Sequence, residues 1–208
     1  MKNIRTATVI IVAVLFFSCS NTRLLSSWKT PDAPTKKYNK VLVVAMMGSK
    51  YDILRQNIEN EMTDKLKQQG VDAVSSYQQY GPKNFQGMGE NDAVKKVSGD
   101  GFDAVMVIAL LDKDKERSFN PAYLSYTPYG VGGWYRNYHV IYDRIYTPGY
   151  YSVSTNYTLE ANLYDASDNK LTYSAQTKSY DPNSSQDLSN GFSKTIVDDM
   201  VKKDVVMK

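Results

Sequence analysis

Two hydrophobic patterns follow one another along this chain, and the change between them constrains the fold more than any other feature. The first part contains continuous apolar runs, VLVVAMM at 41–47 and GFDAVMVIALL at 101–111. Such runs are typical of strands buried on both faces of a parallel sheet. Apolar and polar residues then alternate over 153–163 and 171–178, with the turn residues DASDNK between them. This alternation predicts an antiparallel hairpin with one wet face.

Amphipathic segments between the apolar runs predict helices that cover the sheet. Four apolar residues recur at every fourth position, namely Leu54, Ile58, Met62 and Leu66. We expect Ser49 to cap the start of this helix and Gly70 to follow its end in a left-handed conformation. A short strand is predicted over 71–77, and a short helix over 92–98.

The order of these elements predicts the fold class. A last helix is expected from about Gln186, with Ser184 or Ser185 as its cap. Strand, helix, strand, helix, strand is the order of a parallel βαβαβ unit. We therefore predict one α/β domain over 41–208, whose mixed sheet combines a βαβαβ N-terminal half with an antiparallel C-terminal hairpin, followed by a C-terminal helix.

The N-terminus has the parts of a secretory signal peptide over residues 1–18. Lys2 and Arg5 precede a mostly apolar run that ends at Phe17, and a small residue follows it. The run of about 11 residues is roughly half of what a bilayer-spanning helix needs, so we expect export rather than a permanent span.

Cys19, the only cysteine, directly follows this segment. The stretch FFSC resembles the lipobox of bacterial lipoproteins, although Phe16 stands where leucine is usual. The resemblance implies that Cys19 becomes the first residue and carries fatty acids such as palmitate, and several acyl chains anchor a protein stably. Ser20, rather than aspartate, favours the outer membrane. The alternative is a conventional signal peptide with an incidental cysteine.

The segment after the signal is polar and contains two prolines, which predicts a lipidated tether over 19–40. We interpret Trp28 within it as an aromatic residue that docks the tether onto the domain. One cysteine allows no internal disulfide, so the fold must depend on its core. Removing residues 1–18 takes away two basic residues and no acid, which leaves 23 basic against 22 acidic residues. A nearly neutral chain gives no electrostatic basis for binding nucleic acid.

A tyrosine-rich excursion at 120–151 contains nine of the 17 tyrosines, one tryptophan and the only histidine. Tyrosine and tryptophan offer large, rigid contact areas with a polar tip. The predicted partner- or ligand-binding residues are Tyr126, Tyr129, Trp134, Tyr135, Tyr138 and Tyr142. The other interpretation is a strand or hairpin arm whose tyrosines cover their own sheet.

No pattern in the sequence reaches the strength of a catalytic motif. His139 is the only histidine, and no GxSxG nucleophile turn accompanies it. The turn at Gly48 and Ser49 could hold an anion at a helix start, yet it lacks the phosphate-binding glycine motifs. Asp198 and Asp199 are adjacent on a helix and therefore do not converge. We predict no enzyme activity, no cofactor and no metal site.

The motifs SSWKTP, KVLVVAM, KQQGVDAVSSY, GFDAVMVIALL and LEANLYDASDNKLTYSA occur in this order behind the lipobox cysteine. Together they resemble a family of small bacterial envelope lipoproteins that contain a domain of unknown function. At the level of fold the chain is also similar to envelope assembly lipoproteins, such as the curli secretion component and activators of peptidoglycan synthases. The resemblance implies a protein held in the cell envelope by its lipid, and it transfers no activity.

We therefore expect a membrane-anchored, non-enzymatic envelope lipoprotein that binds a protein partner or assists an assembly. The alternative is a module that binds glycan or peptidoglycan through the tyrosine-rich excursion, with Asp143 or Arg144 supplying polar contacts.

Overall fold

The computed structural model describes residues 21–31, 38–82, 85, 87–129 and 141–206; for 123–129 and 141–147 it describes the backbone. The strands are β1 (Thr22–Lys29), β2 (Lys40–Met46), β3 (Asp72–Ser75), β4 (Ala104–Asn120), β5 (Tyr123–Tyr129), β6 (Ile141–Thr147), β7 (Tyr150–Asp165) and β8 (Leu171–Tyr180). The helices are α1 (Asp52–Gln68), α2 (Ser76–Tyr80), α3 (Glu90–Gly99) and α4 (Ser185–Lys202).

Six strands form one mixed sheet in the order β1-β8-β7-β4-β2-β3, and β5 pairs with β6 in a separate two-stranded sheet. The chain divides into two compact units. The first, called the sheet unit below, contains the described residues up to Lys113 and from Tyr157 onward. The second, called the ribbon unit, is Asp114–Asn156.

The predicted βαβαβ half is confirmed. Strand β2 pairs in parallel with β3 on one side and with β4 on the other, so that Val41 stands between Ala73 and Ala104. The turn after β7 is closed by a hydrogen bond from the Asp165 amide to the Lys170 carbonyl oxygen at 2.9 Å. The predicted α/β domain with a mixed sheet and a C-terminal helix is therefore present.

The main core lies between the sheet and the pair formed by α1 and α4. The four α1 residues predicted from their spacing are all buried, and so are the corresponding residues of α4: Leu188, Phe192, Ile196 and Met200. Gly70 follows α1 at a φ of 82°, as predicted. Ser184 caps α4 by accepting a hydrogen bond from the Asp187 amide at 3.1 Å.

The opposite face of the sheet carries a smaller core beneath α3. Leu42 and Val44 of β2 alternate with the residues of the main core and pack with Val97 and Phe102. Because successive strand residues point to opposite faces, a strand that is apolar throughout is covered on both sides. This explains why VLVVAMM shows no alternation.

The structure corrects the predicted tether. Thr22–Lys29 pairs antiparallel with β8 as the outer strand of the sheet, and a bulge interrupts the register between Leu24 and Ser26. Trp28 is therefore a strand residue, and its side chain remains 46% exposed. The pattern was missed because an edge strand obtains its stability from backbone pairing with its neighbour, which a polar sequence permits.

Two local predictions around α1 and β3 were wrong. Ser49 does not cap α1; it begins a 3-10 turn, Ser49–Tyr51, that precedes the helix. The strand predicted over 71–77 ends at Ser75, and α2 follows it directly. Ser75 caps this helix by accepting a hydrogen bond from the Gln78 amide at 3.3 Å. Serine satisfies a free amide in either setting, so its presence alone does not locate the helix start.

Candidate functional site

The tyrosine-rich excursion contains the antiparallel ribbon β5–β6. Its register pairs Tyr126 with Arg144, Pro128 with Tyr142 and Tyr129 with Ile141. The predicted residues Tyr126 and Tyr129 therefore lie in one strand of the ribbon and Tyr142 in the other.

Four predicted residues lie outside the described part of the chain. They are Trp134, Tyr135, Tyr138 and the lipidation residue Cys19. His139 lies outside it as well. These residues keep the status of sequence predictions.

The ribbon unit carries three exposed side chains that we call the aromatic surface: Phe119, Tyr151 and Val153. Phe119 and Tyr151 hold their ring centroids 5.0 Å apart at a tilt of 49°. The guanidinium carbon of Arg117 lies 5.6 Å from the centroid of the Tyr151 ring. All three members are more than half exposed, so they remain available for contact. Tyr150 is exposed as well, but it precedes Tyr151 in β7 and therefore points to the opposite face of the strand.

Glycine at position 149 makes this arrangement possible. A Cβ atom placed there would lie 2.9 Å from Cζ of Phe119 and 3.2 Å from both the Ala122 amide nitrogen and the Asn120 carbonyl oxygen. Any larger residue would displace the ring or the backbone. Asn120 also donates a hydrogen bond to the Ser152 hydroxyl at 3.1 Å, which joins the two chain segments beneath the aromatic surface.

Sequence reasoning missed the aromatic surface in part. Tyr151 lies inside the predicted excursion but was not among its named residues, and Phe119 lies one position outside it. The signal that could have found them is the glycine at 149, since a glycine next to aromatic residues in a strand pattern often marks a close approach.

A second candidate is a crevice of about 680 Å³ in the sheet unit, between the starts of α1 and α4. It lies beyond the carboxyl end of β2, where the chain has crossed to β3 on one side and to β4 on the other, and α/β folds often bind ligands at such a point. The ammonium nitrogen of Lys113 lies 5.7 Å from the Tyr51 ring centroid and 5.1 Å from that of Tyr157.

The crevice has the elements of a weak anion site. Two helix starts place partial positive charge there, and Lys50 lies 4.9 Å from the Tyr51 ring centroid. Asp52 also lines the crevice and opposes that charge. Only the fold brings Lys113 to this crevice, because it lies far along the chain from both helix starts.

A third candidate is an apolar groove of about 440 Å³ beside α3. Its lining includes Val44, Val94, Val97, Val105, Val107 and Tyr164. The Asp165 carboxylate at its edge already accepts hydrogen bonds from the Ser167 amide at 2.8 Å and from the Ser167 hydroxyl at 2.6 Å. It is therefore committed to the turn and does not offer a free polar anchor.

The most buried carboxylate, Glu59, has a structural role. Its two oxygens accept hydrogen bonds from the Ala45 and Tyr77 amides at 2.9 and 2.7 Å, and from the hydroxyls of Ser75 and Ser76 at 2.7 and 2.9 Å. The carboxylate is fully enclosed and has no path to a substrate. It joins α1 to the ends of β2 and β3.

Asp199 also has a structural partner. The buried Tyr173 hydroxyl donates a hydrogen bond to its Oδ2 at 2.9 Å. Burial, followed by this hydrogen bond, raises the pKa of Tyr173 well above its ordinary value. Asp198 faces Lys194 at 3.6 Å instead, so the two adjacent aspartates point to different surroundings, as their spacing predicted.

Within the described ranges, no group of three or more histidine, cysteine, aspartate or glutamate side chains is placed to hold a metal ion. No helix in this same part of the chain has both the length and the apolar character needed to cross a bilayer.

No family model and no curated protein matches this sequence. Among solved structures, the PelC dodecamer from Paraburkholderia phytofirmans is similar, with a TM-score of 0.47 and 10% identity over 90% of this chain and 99% of that chain. Lipoprotein GNA1162 from Neisseria meningitidis is similar with a TM-score of 0.45 and 15% identity, over 79% of this chain and 99% of that chain. The resemblance to envelope lipoproteins that the sequence motifs suggested therefore stays a prediction.

Proposed function

We propose that this chain is a lipid-anchored protein of the bacterial cell envelope that binds a partner through its ribbon unit and catalyses no reaction. The observation that carries the proposal is the aromatic surface. The exposed rings are in contact with water, and a partner that covers them removes this apolar area from water, which favours binding. The anchor is the acylated Cys19 expected from the lipobox, and Ser20 favours the outer membrane.

The geometry of the aromatic surface suits binding because its rings are already positioned. Phe119 rests against the Gly149 backbone and against the Tyr151 ring, so little side-chain freedom remains to be lost on association. Arg117 beside Tyr151 adds a cation that can pair with a carboxylate of the partner. Aromatic residues with a neighbouring arginine are the typical anchors of protein interfaces.

A site-specific crosslink tests this proposal. A photoreactive residue at Val153 should capture a defined envelope protein in cells, and Phe119→Ser with Tyr151→Ser should abolish the adduct. The matched control places the same residue at Ile53, which is 71% exposed but belongs to the sheet unit. The proposal fails if Ile53 and Val153 yield the same adducts, or if the serine substitutions leave the Val153 adduct unchanged.

The lipid anchor has a separate test. Cells that express the full chain should incorporate a labelled fatty acid into it, and Cys19→Ala should remove the label. A Cys19→Ala chain that still carried fatty acid would overturn the anchor without bearing on the aromatic surface.

A second function, binding to glycan or peptidoglycan, is favoured by the exposed Tyr150 and Tyr151 rings, because such rings stack on sugar faces. Asp143 or Arg144 would then supply the polar contacts. Isolated cell-wall material distinguishes the two functions. A glycan-binding module is retained on it and loses retention with Phe119→Ser and Tyr151→Ser, whereas a protein-binding module passes through.

A further inference from the structure

The outer strand β1 exposes apolar side chains along the open edge of the sheet. Leu24, Leu25 and Trp28 are 38%, 53% and 46% exposed. Their partners in β8 assign them to different faces, because Leu24 stands opposite the buried Thr177 and Trp28 opposite Ser174. Apolar groups therefore border the edge on both sides. An exposed apolar edge strand invites association, and proteins usually protect such edges with charges or proline.

A bulge gives Leu25 a special position. The register passes from Leu24 opposite Thr177 directly to Ser26 opposite Gln176, so Leu25 has no partner in β8. Bulges of this kind twist an edge strand and redirect one side chain. Leu25 is the most exposed of the three apolar residues, which is the expected result if the bulge turns it away from the sheet.

The length of chain before β1 limits what can lie against this edge. Only two residues lie between Cys19 and Thr22, and an extended chain spans at most about 11 Å over these three residue steps. A lipid on Cys19 would therefore hold the start of β1 next to the headgroups, without the long spacer that the sequence suggested. This step rests on the lipid anchor of the proposed function.

The side chains at that end of the strand suit a headgroup surface. The guanidinium carbon of Arg23 lies 5.6 Å from the Tyr180 ring centroid, and the ammonium nitrogen of Lys178 lies 5.7 Å from it. Tyrosine and tryptophan favour the boundary between water and hydrocarbon, where leucine can enter the acyl region. Basic side chains favour acidic headgroups.

We infer that the outer edge of β1, with Leu24, Leu25 and Trp28, lies against the surface of the phospholipid bilayer that holds the Cys19 anchor. The headgroup layer covers the open sheet edge, where its polar groups and water can pair with the free backbone groups of β1. Arg23 and Lys178 face the headgroups at the anchored end.

Tryptophan fluorescence tests this inference on the mature, lipidated protein reconstituted into vesicles. In a Trp134→Phe variant, only Trp28 emits. Phosphatidylcholine with brominated acyl chains should quench Trp28 and plain phosphatidylcholine should shift its emission to the blue; Leu24→Ser with Leu25→Ser should remove most of the quenching. The matched control carries Trp28→Phe, Trp134→Phe and Asp72→Trp. Its probe is exposed on the opposite edge strand, about 24 Å away by five strand spacings, and should stay unquenched.

Each outcome shows whether the bilayer, water or a second copy of the chain covers the edge of β1. Fatty-acid labelling and flotation with the vesicles are measured first, because loss of the anchor would overturn the proposed function and this inference together. An anchored protein whose Trp28 is unquenched overturns the inference alone. A blue shift that depends on protein density and not on bromine would assign the edge to a second copy of the chain, which also overturns it.

Discussion

Aromatic side chains serve opposite purposes in the two units. In the sheet unit, Phe192 is fully buried and Tyr173 is buried with its hydroxyl bonded to Asp199. In the ribbon unit, Phe119 and Tyr151 pack on each other and remain 58% and 65% exposed. The contrast teaches that a count of aromatic residues reveals neither a core nor an interface. What decides is whether a second layer covers the rings, as α4 covers the six-stranded sheet.

The largest expected effect comes from making the same truncation in both units. Phe192→Ala should lower the free energy of unfolding by about 3–5 kcal/mol, because it removes buried apolar area and leaves a cavity. Phe119→Ala should change it by only about 0.5 kcal/mol, since an exposed ring loses little. Chemical denaturation followed by circular dichroism measures both. A large loss for Phe119→Ala would show that the aromatic surface is packed core.

Replacing a carboxylate by an amide extends the comparison to polar groups. Glu59→Gln should cost about 2–3 kcal/mol, because one amide nitrogen would face the Ala45 or Tyr77 amide donor in a buried site. The matched change in the ribbon unit is Glu116→Gln, whose side chain accepts a 3.5 Å hydrogen bond from Asn156. It should cost less than about 0.5 kcal/mol because Glu116 is exposed. Equal losses in denaturation would refute the structural role of Glu59.

Removing a single hydroxyl group gives a smaller effect. Tyr173→Phe should cost about 1–2 kcal/mol, since Asp199 loses a buried donor. Tyr151→Phe should be neutral within about 0.5 kcal/mol. Thermal unfolding of the two variants beside the wild type measures the difference.

The Tyr173 hydroxyl should also make the free energy of unfolding depend on pH in the alkaline range. The pKa of Tyr173 is raised by burial and then by the bond to Asp199, so the unfolded chain releases this proton first as pH rises. The contribution of Tyr173 to the free energy of unfolding is fully present below the ordinary tyrosine pKa of about 10 and declines above it. Tyr173→Phe should reduce that decline, whereas Tyr80, whose pKa is raised by burial and by Asp100, keeps its share in both proteins. An unchanged alkaline decline would contradict this.

The smallest effect is expected in the turn between β7 and β8. The Lys170 side chain lies 3.0 Å from Asp168 and, together with the Lys170 amide, holds the pKa of that carboxyl below its ordinary value. Its contribution is present above the ordinary pKa and disappears as pH falls through the lowered one. The difference in melting temperature between wild type and Asp168→Asn should be slight at neutral pH and vanish in acid. A large difference in melting temperature at neutral pH would show that an exposed ion pair can stabilise this fold strongly. Exposure would then not explain the contrast between the two units.

The sequence predicted the helices and strands wherever burial imposes a period. Leu54, Ile58, Met62 and Leu66 identified α1 because one face of a helix must be apolar to cover a sheet. The sequence narrowed the cap of α4 to Ser184 or Ser185 because a helix start needs an acceptor, and the structure assigns it to Ser184. Both signals lie within one short stretch of chain, so the sequence alone shows them.

The candidate surfaces could be predicted less well from the sequence. Strand β1 was missed because its partner, β8, lies about 150 residues away along the chain, and no local pattern records that pairing. The contact of Phe119 with Gly149 joins the end of β4 to the connection between β6 and β7, which are distant along the chain. Sequence reasoning named the tyrosine-rich excursion but placed its candidates where composition was richest rather than where rings meet.

By itself, the sequence determined the α/β class and the helical faces of the core, and it predicted an export signal and a lipid anchor at Cys19. Only the tertiary structure decided that Thr22–Lys29 is an edge strand rather than a tether, and that Phe119 and Tyr151 share an exposed surface. The physical reason is the separation along the chain over which each kind of interaction acts. Periodicity and capping act within a few turns of chain, whereas strand pairing and ring packing depend on which distant segments the whole fold brings together.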